Sequence, residues 1–110
     1  MEDVGLSGLN ECLVSVILVN FRGAGDTIEA IKHLGELEWP KDRLEIVVVE
    51  NGSGDDSASR IAAAAPHVTL VNSKENLGFA GGCNLGVRKS KGEIVAFLNN
   101  DARPDSAWVR

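Results

Sequence analysis

Ile94-Val-Ala-Phe-Leu98, opened by Gly92-Glu93 and followed by Asn99-Asn-Asp101, decides the fold. A run this short and apolar, bounded by turn residues, predicts a buried strand. Three polar side chains suited to a metal or a hydroxyl stand at its carboxyl end. Open α/β sheets bind ligands at that end of their strands, so one stretch predicts both a strand and a site.

Outward from it, strands and helices alternate. Residues 13–19 (Leu13 to Val19) read as a first strand and 26–37 (Asp26 to Leu37) as a first helix. In that helix Ile28, Ile31 and Leu34 recur at helical spacing, Asp26 with Glu29 has capping-box form, and Trp39-Pro40 ends it. Residues 44–49 form a second strand around Ile46-Val-Val-Val49, and 51–55 a turn. An alanine-rich helix spans 57–65, opened by the Asp55 and Asp56 carboxylates, which favour a helix N-terminus, and closed by Pro66. A short third strand covers 68–71. Residues 77–89 hold four glycines and end in a helical Leu85-Gly-Val-Arg-Lys89; the fourth strand spans 93–98.

The order is therefore βαβαβαβ. Strands apolar on both faces belong in a parallel sheet covered by helices on both sides. Right-handed crossovers place them 3-2-1-4, an open Rossmann-like α/β sheet. The topological switch falls between strands 1 and 4, where the loop after Val19 faces Asn99-Asn-Asp101. Residues 1–12 read as a loose lead-in and 13–110 as one domain.

Composition limits the function. Apolar residues make up 44% of the 110, enough for one core. A net charge of −5 argues against a nucleic-acid-binding face. Cys12 and Cys83 show no metal spacing and read as reduced, buried thiols of a cytoplasmic protein. No run approaches the ~20 apolar residues of a membrane span, and no signal-peptide pattern opens the chain. His33 and His67 have no partners at ligand spacing and are expected at the surface or a helix end.

Three places could carry chemistry. Glu50, at the tip of strand 2, can accept hydrogen bonds from a ribose or base edge, or can be a solvated strand end before the Asn51-Gly52 turn. Gly78, Gly81, Gly82 and Gly86 each cost a helix about 1 kcal/mol relative to alanine. Close approach to a ligand, or tight packing of helix on sheet, would explain them. Asp101 is the metal candidate. Mg²⁺ often takes one or two carboxylates plus diphosphate oxygens, so one Asp beside two Asn would need phosphates to complete the site. The competing reading is a turn. Gly23-Ala-Gly25 with Glu50 also outlines a dinucleotide-binding fold. The third glycine of that fingerprint falls on Ile28, however, and Asn20-Phe-Arg22 separates strand from glycine.

Four segments together resemble the nucleotide-sugar-binding half of the inverting family 2 glycosyltransferases, which have the GT-A fold. They are Val14-Ser-Val-Ile-Leu-Val-Asn-Phe21, Ile46-Val-Val-Val-Glu-Asn-Gly-Ser53, Asn76-Leu-Gly-Phe-Ala-Gly-Gly-Cys-Asn-Leu-Gly86 and Gly92-Glu-Ile-Val-Ala-Phe-Leu-Asn-Asn-Asp101. The third segment and the Leu-Asn-x-Asp form look most like the rhamnosyltransferase-like branch. The resemblance implies that Val19 and Phe21 lie beside the nucleotide base. It implies that Glu50, where the family usually has Asp, holds base or ribose, with Asn51 adjoining. Gly78 and Gly82 would border the diphosphate. Asn99 and Asn100 would occupy the Asp-x-Asp position, Asn99 near the ribose, and Asp101 would be the metal-binding last Asp. Glu50 is one methylene longer than Asp, and Asn99 removes a charge from the motif.

The implied reaction transfers a sugar from a nucleoside diphosphate, with Mg²⁺ or Mn²⁺, to the hydroxyl of a glycan or lipid-linked acceptor, with inversion, in cell-surface polysaccharide or glycan synthesis. The family's base is a carboxylate expected beyond Arg110, so this chain reads as a truncated GT-A half, inactive alone. Pro104-Asp-Ser-Ala-Trp108 reads as a helix start capped by Asp105 or Ser106. The sheet edge beside strand 4 would be open, which predicts self-association. The expected location is the cytoplasm, or peripherally the inner face of the membrane. A dinucleotide-binding oxidoreductase fragment and a non-catalytic nucleotide-sugar-binding module are the alternatives.

Overall fold

Strands Val14–Asn20 (β1), Leu44–Asn51 (β2), Thr69–Ser73 (β3) and Ile94–Phe97 (β4) pair in parallel in the order β3-β2-β1-β4, as the sequence predicts. They belong to a computed structural model that describes residues 12–101 and 103. Helices Ala24–Leu34 (α1), Ser57–Ala64 (α2) and Gly78–Lys89 (α3) connect them, with a 3-10 turn at Lys41–Arg43 before β2. The register aligns Asn20 with Glu50, and Asn51 with Ser73, at the carboxyl ends.

The continuous apolar strands are explained by cover on both sides. Val16, Leu18, Ile46 and Val48 share one core with Ile31 and Leu34 of α1 and Ile61 of α2. The alternate residues Ile17, Val47 and Val49 face the other way, packed by Leu85 of α3 and by Val19, Val71 and Val95. With neither face in water, no polar alternation survives.

Local expectations shift at several points. Helix α1 begins at Ala24 rather than Asp26 and ends at Leu34 rather than Leu37. Gly23 occupies the N-cap position and makes no side-chain cap bond, so Asp26 and Glu29 are not a capping box. Asp26 lies inside the first turn, where its charge still favours the helix dipole. The apolar periodicity runs past the helix because Leu37 and Trp39 stay in the core while the regular helix gives way after Leu34 to tighter turns, with the Glu36 N–H on the His33 carbonyl and the Leu37 N–H on the Leu34 carbonyl. Strand β3 runs to Ser73 rather than Val71, and β4 is shorter than expected at both ends.

The largest difference is α3, which is helical throughout and not only over 85–89. Two of its glycines serve packing against the sheet. A Cβ on Gly86 would stand 2.6 Å from Ile17 Cγ2, and one on Gly82 2.9 Å from Val19 Cγ1. Close contact with β1 and β2 thus overrides the poor helix propensity of the segment.

Cys12 and Cys83 are half-buried rather than buried, and burial pushes the Cys83 thiol above its ordinary value. His67 is exposed, and half-buried His33 ends α1 with Nδ1 2.9 Å from the Glu29 carbonyl. Among the described residues β4 pairs only with β1, and Ile94 and Phe97 are exposed on it. No helix among them is long and apolar enough to cross a membrane. The lead-in up to Glu11 and the expected helix start at Pro104–Trp108 lie outside the described residues.

Candidate functional site

Each core strand ends in polar residues, and these ends are bonded to one another. Asn20 closes β1 and is fully buried; its Nδ2 donates to Glu50 Oε1 at 2.9 Å across the register. The Ser53 backbone N–H donates to Glu50 Oε2 at 3.1 Å, and the Ser53 hydroxyl donates to Oε1. Glu50 is only 6% exposed, a burial that a carboxylate tolerates when donors surround it. Ser53 also accepts from the Arg22 backbone N–H at 2.7 Å, and its carbonyl accepts from Arg22 Nε at 2.9 Å. Arg22 needs this hold: its φ of 54° is a left-handed conformation that side chains other than glycine adopt at a cost. The guanidinium lies 5.0 Å from the centroid of the Phe21 ring, a cation–π distance.

Asn51 organises the neighbouring loop. Its Oδ1 accepts from the Leu77 backbone N–H at 3.0 Å, and its Nδ2 donates to Asn76 Oδ1 and to the Gly78 carbonyl. The start of α3 is thereby pinned to the tip of β2. Gly78 has a φ of 76° with open space where a Cβ would be, so backbone conformation alone calls for glycine there. Gly52 turns the chain after β2 at a φ of 72°, and a Cβ on it would meet the Glu75 backbone at 2.4 Å.

Between these tips lies a cavity of about 260 Å³, lined by Val19, Phe21, Asn51, Asn76, Gly78, Phe79 and Asn100. Phe21 and Phe79 expose their rings at it. A larger recess of about 360 Å³ opens at the opposite end of β2, beside Leu44, Glu45 and His67. It lies away from every strand tip, and the Glu45 carboxylate in it is already bonded by the Ser15 hydroxyl and the Lys91 N–H. The smaller cavity is the candidate.

The expected residues therefore separate into groups. Val19, Phe21, Asn51, Gly78 and Asn100 line the cavity. Glu50 is not among the lining residues; its carboxylate is bonded to Asn20 and Ser53, holding the tips together. Gly82 is buried against Val19 and Asn51 Nδ2 and does not line the cavity; a Cβ there would press on both. Asn99 and Asp101 are exposed in the turn after β4, so this segment is a turn as well as a candidate site. Among the described residues no three His, Cys, Asp or Glu side chains converge as a ready metal cage. Gly23, which the dinucleotide outline would set against a pyrophosphate, instead faces Asn100 Nδ2, 2.9 Å from where its Cβ would be.

Sequence reasoning assigned no role to Asn20, Arg22, Thr27, Ser53, Asn76 and Phe79. For Asn20 a signal existed: a lone amide closing an apolar strand, level with a carboxylate on the next. Thr27 lies inside a helix pattern and gives no such sign.

The model of the family described as glycosyl transferase family 2 matches residues 15–110. The glycosyltransferase AglE of Haloferax volcanii is 29% identical over 99 residues, covering 87% of this chain and 33% of its own. A solved mannosyltransferase of Pyrobaculum calidifontis, in complex with GDP-Man and Mn²⁺, superposes with a TM-score of 0.80 at 32% identity, over 86% of this chain and 29% of that one. TarS of S. aureus in complex with UDP shares the fold, with a TM-score of 0.77 at 22% identity over 86% of this chain and 29% of its own. The chain thus spans about a third of the length of these proteins, and its sheet is part of a GT-A domain. With the match running from the first core strand through the Asn99–Asp101 turn, the chain belongs to glycosyltransferase family 2.

Proposed function

We propose that residues 13–110 are the nucleotide-sugar-binding half of an inverting glycosyltransferase that passes a sugar from a nucleoside diphosphate to the hydroxyl of a glycan or lipid-linked acceptor, in cell-surface polysaccharide or glycan synthesis. The observation that carries this is the convergence of the β1, β2 and β4 ends on one cavity lined by Val19, Phe21, Gly78 and Asn100. Phe21 and Phe79 offer ring faces to a base. Glu50 fixes the strand tips and keeps acceptor capacity for a base or ribose donor. Asn99 would stand near the ribose. The mannosyltransferase complex with GDP-Man and Mn²⁺ supports a nucleotide-sugar donor and a divalent cation.

The donor chemistry of the turn fits such a cation. Asp101 offers an exposed carboxylate and Asn99 an exposed amide oxygen, a hard but incomplete oxygen set of the kind that Mg²⁺ or Mn²⁺ shares with phosphates. A cation held by Asp101 would offset the charge of the departing diphosphate.

Calorimetric titration with GDP and UDP, with and without Mn²⁺, tests the proposal. Binding strengthened by Mn²⁺, with that gain lost in Asp101→Ala, is expected. No heat with either nucleotide would refute it, and binding indifferent to Asp101→Ala would make the chain a non-catalytic module.

A further inference from the structure

One polar side chain of α1 has no role in holding its own helix. Thr27 is fully buried, and its hydroxyl donates to Asn20 Oδ1 at 2.7 Å. The same oxygen accepts from Asn100 Nδ2 at 3.2 Å. With the Asn20 bond to Glu50, every donor in this relay points the same way: Asn100 to Thr27, Thr27 to Asn20, Asn20 to the Glu50 carboxylate. Bonds aligned on a charge polarise one another and strengthen. Gly23 closes the other side of Asn100, leaving no room for a Cβ. Beyond Asp101 a second tie reaches the same helical turn, from Arg103 Nη2 to Asp26 Oδ1 at 3.3 Å.

Asp101 is thus an exposed residue between two ties to the first turn of α1. We propose that Thr27 is a positioning residue: through Asn100 it fixes the turn that presents Asp101 to the cation and diphosphate. This rests on the nucleotide-sugar reading above. It adds that the placement of Asp101 is set from α1 as well as from the end of β4, where the Leu98 N–H donates to the Ile17 carbonyl at 3.0 Å.

The test pairs a readout that needs no ligand with one that does. In Thr27→Val, hydrogen exchange at the amides of residues 99–101 should accelerate beyond any change shared by the β1 core amides, and Thr27→Ser should restore it. Gly23→Ala, which presses on Asn100 from the other side, should act likewise should Thr27→Val fold poorly. The gain in GDP or UDP affinity from Mn²⁺ should fall about 10-fold in Thr27→Val, the scale seen when a group orienting a metal ligand is lost, while affinity without metal holds. Unchanged exchange at 99–101 in both variants overturns the proposal. Faster exchange with the full Mn²⁺ gain retained overturns it too. Faster exchange in a protein whose wild type binds no nucleotide supports the tether and removes the nucleotide reading.

Discussion

Replacing Glu50 with Met tests whether the buried carboxylate is structural before it is functional. Met fills nearly the same volume and accepts nothing of consequence. Three donors now point at the carboxylate: Asn20 Nδ2, the Ser53 N–H and the Ser53 hydroxyl. The hydroxyl can rotate to another acceptor. The backbone N–H of Ser53 is buried and cannot, and the buried Asn20 amide keeps only a long 3.5 Å contact to the Ser53 hydroxyl oxygen; each donor so orphaned or weakened costs about 2 kcal/mol. Relief of the carboxylate's own desolvation offsets part of that ~4 kcal/mol, leaving Glu50→Met less stable by about 3 kcal/mol. Against a typical domain stability of roughly 5–15 kcal/mol the loss is large. At a urea slope of about 1.5 kcal/mol per molar it lowers the midpoint by ~2 M, measured by circular dichroism without any ligand. Glu50→Gln should cost less. Its oxygen still accepts from Asn20 and the Ser53 hydroxyl with the Thr27 bond to Asn20 intact, so what disappears is the charge assistance and the acceptor of the Ser53 N–H. A Glu50→Met midpoint within error of wild type would refute the argument and leave Glu50 as a ligand group alone. A loss as large in Glu29→Gln, an exposed member of a surface pair with Lys32, would also refute it.

The other predictions concern packing and acid. Gly86→Ala should destabilise despite alanine's advantage of about 1 kcal/mol in a helix, because its methyl meets Ile17 Cγ2 at 2.6 Å and Val49 Cγ2 at 3.1 Å. Overpacking of this kind costs about 1–3 kcal/mol. Gly25→Ala, on the exposed side of α1 with its nearest neighbour at 4.0 Å, should stabilise, and paired thermal melts check both signs. The hydroxyl of Ser57, and then its N–H, hold the Asp55 carboxyl below its ordinary value. A carboxyl lowered on folding adds stability above its unfolded value of about 3.9. That contribution disappears as pH falls through the lowered folded value. The difference in stability between wild type and Asp55→Asn should therefore be constant from neutral pH to about 4 and shrink below it.

The fold was legible because strands covered on both faces leave an unmistakable mark. Ile46-Val-Val-Val49 has no polar alternation, and that alone calls for helices on both sides and hence parallel pairing. The same logic placed β4 beside β1 and the Asn99–Asp101 turn at the carboxyl edge. What sequence patterns misjudged was local. Four glycines hid most of α3, because propensity counts their cost while the reason for two of them is the distance to Ile17 and Val19. At α1 the Asp26–Glu29 spacing fits a capping box, yet the helix is entered from Gly23, since the loop after β1 must bring Gly23 against Asn100. Glu50 was visible as a carboxylate at a strand tip. That its oxygens face Asn20 and Ser53 depends on register, which periodicity does not encode. Thr27 was invisible: a buried threonine on an apolar helix face looks like any core position until its partners are known.

The buried polar residues are distributed unevenly in a way that bears on binding. Asn20, Thr27, Glu50, Asn51 and Ser53 are all buried at the carboxyl edge or in the helical turn that meets it, with Ser57 at the start of α2 and Ser15 at the amino end of β1. Among the described residues no buried side-chain nitrogen or oxygen lacks a partner. A saturated network of this kind adds rigidity at the expense of apolar burial, so its concentration beside one cavity argues for a site formed before the ligand arrives. Groups already held in place lose little freedom on binding, which favours affinity. The residues left outside the network are Asn99 and Asp101, exposed in the turn, and the rings of Phe21 and Phe79. Firm strand tips and a few exposed groups beside them make an arrangement in which ligand chemistry is set by the exposed turn while its geometry is set by the sheet. Substitutions in the network should therefore move stability and metal-assisted binding together, whereas Asp101→Ala should move the second alone.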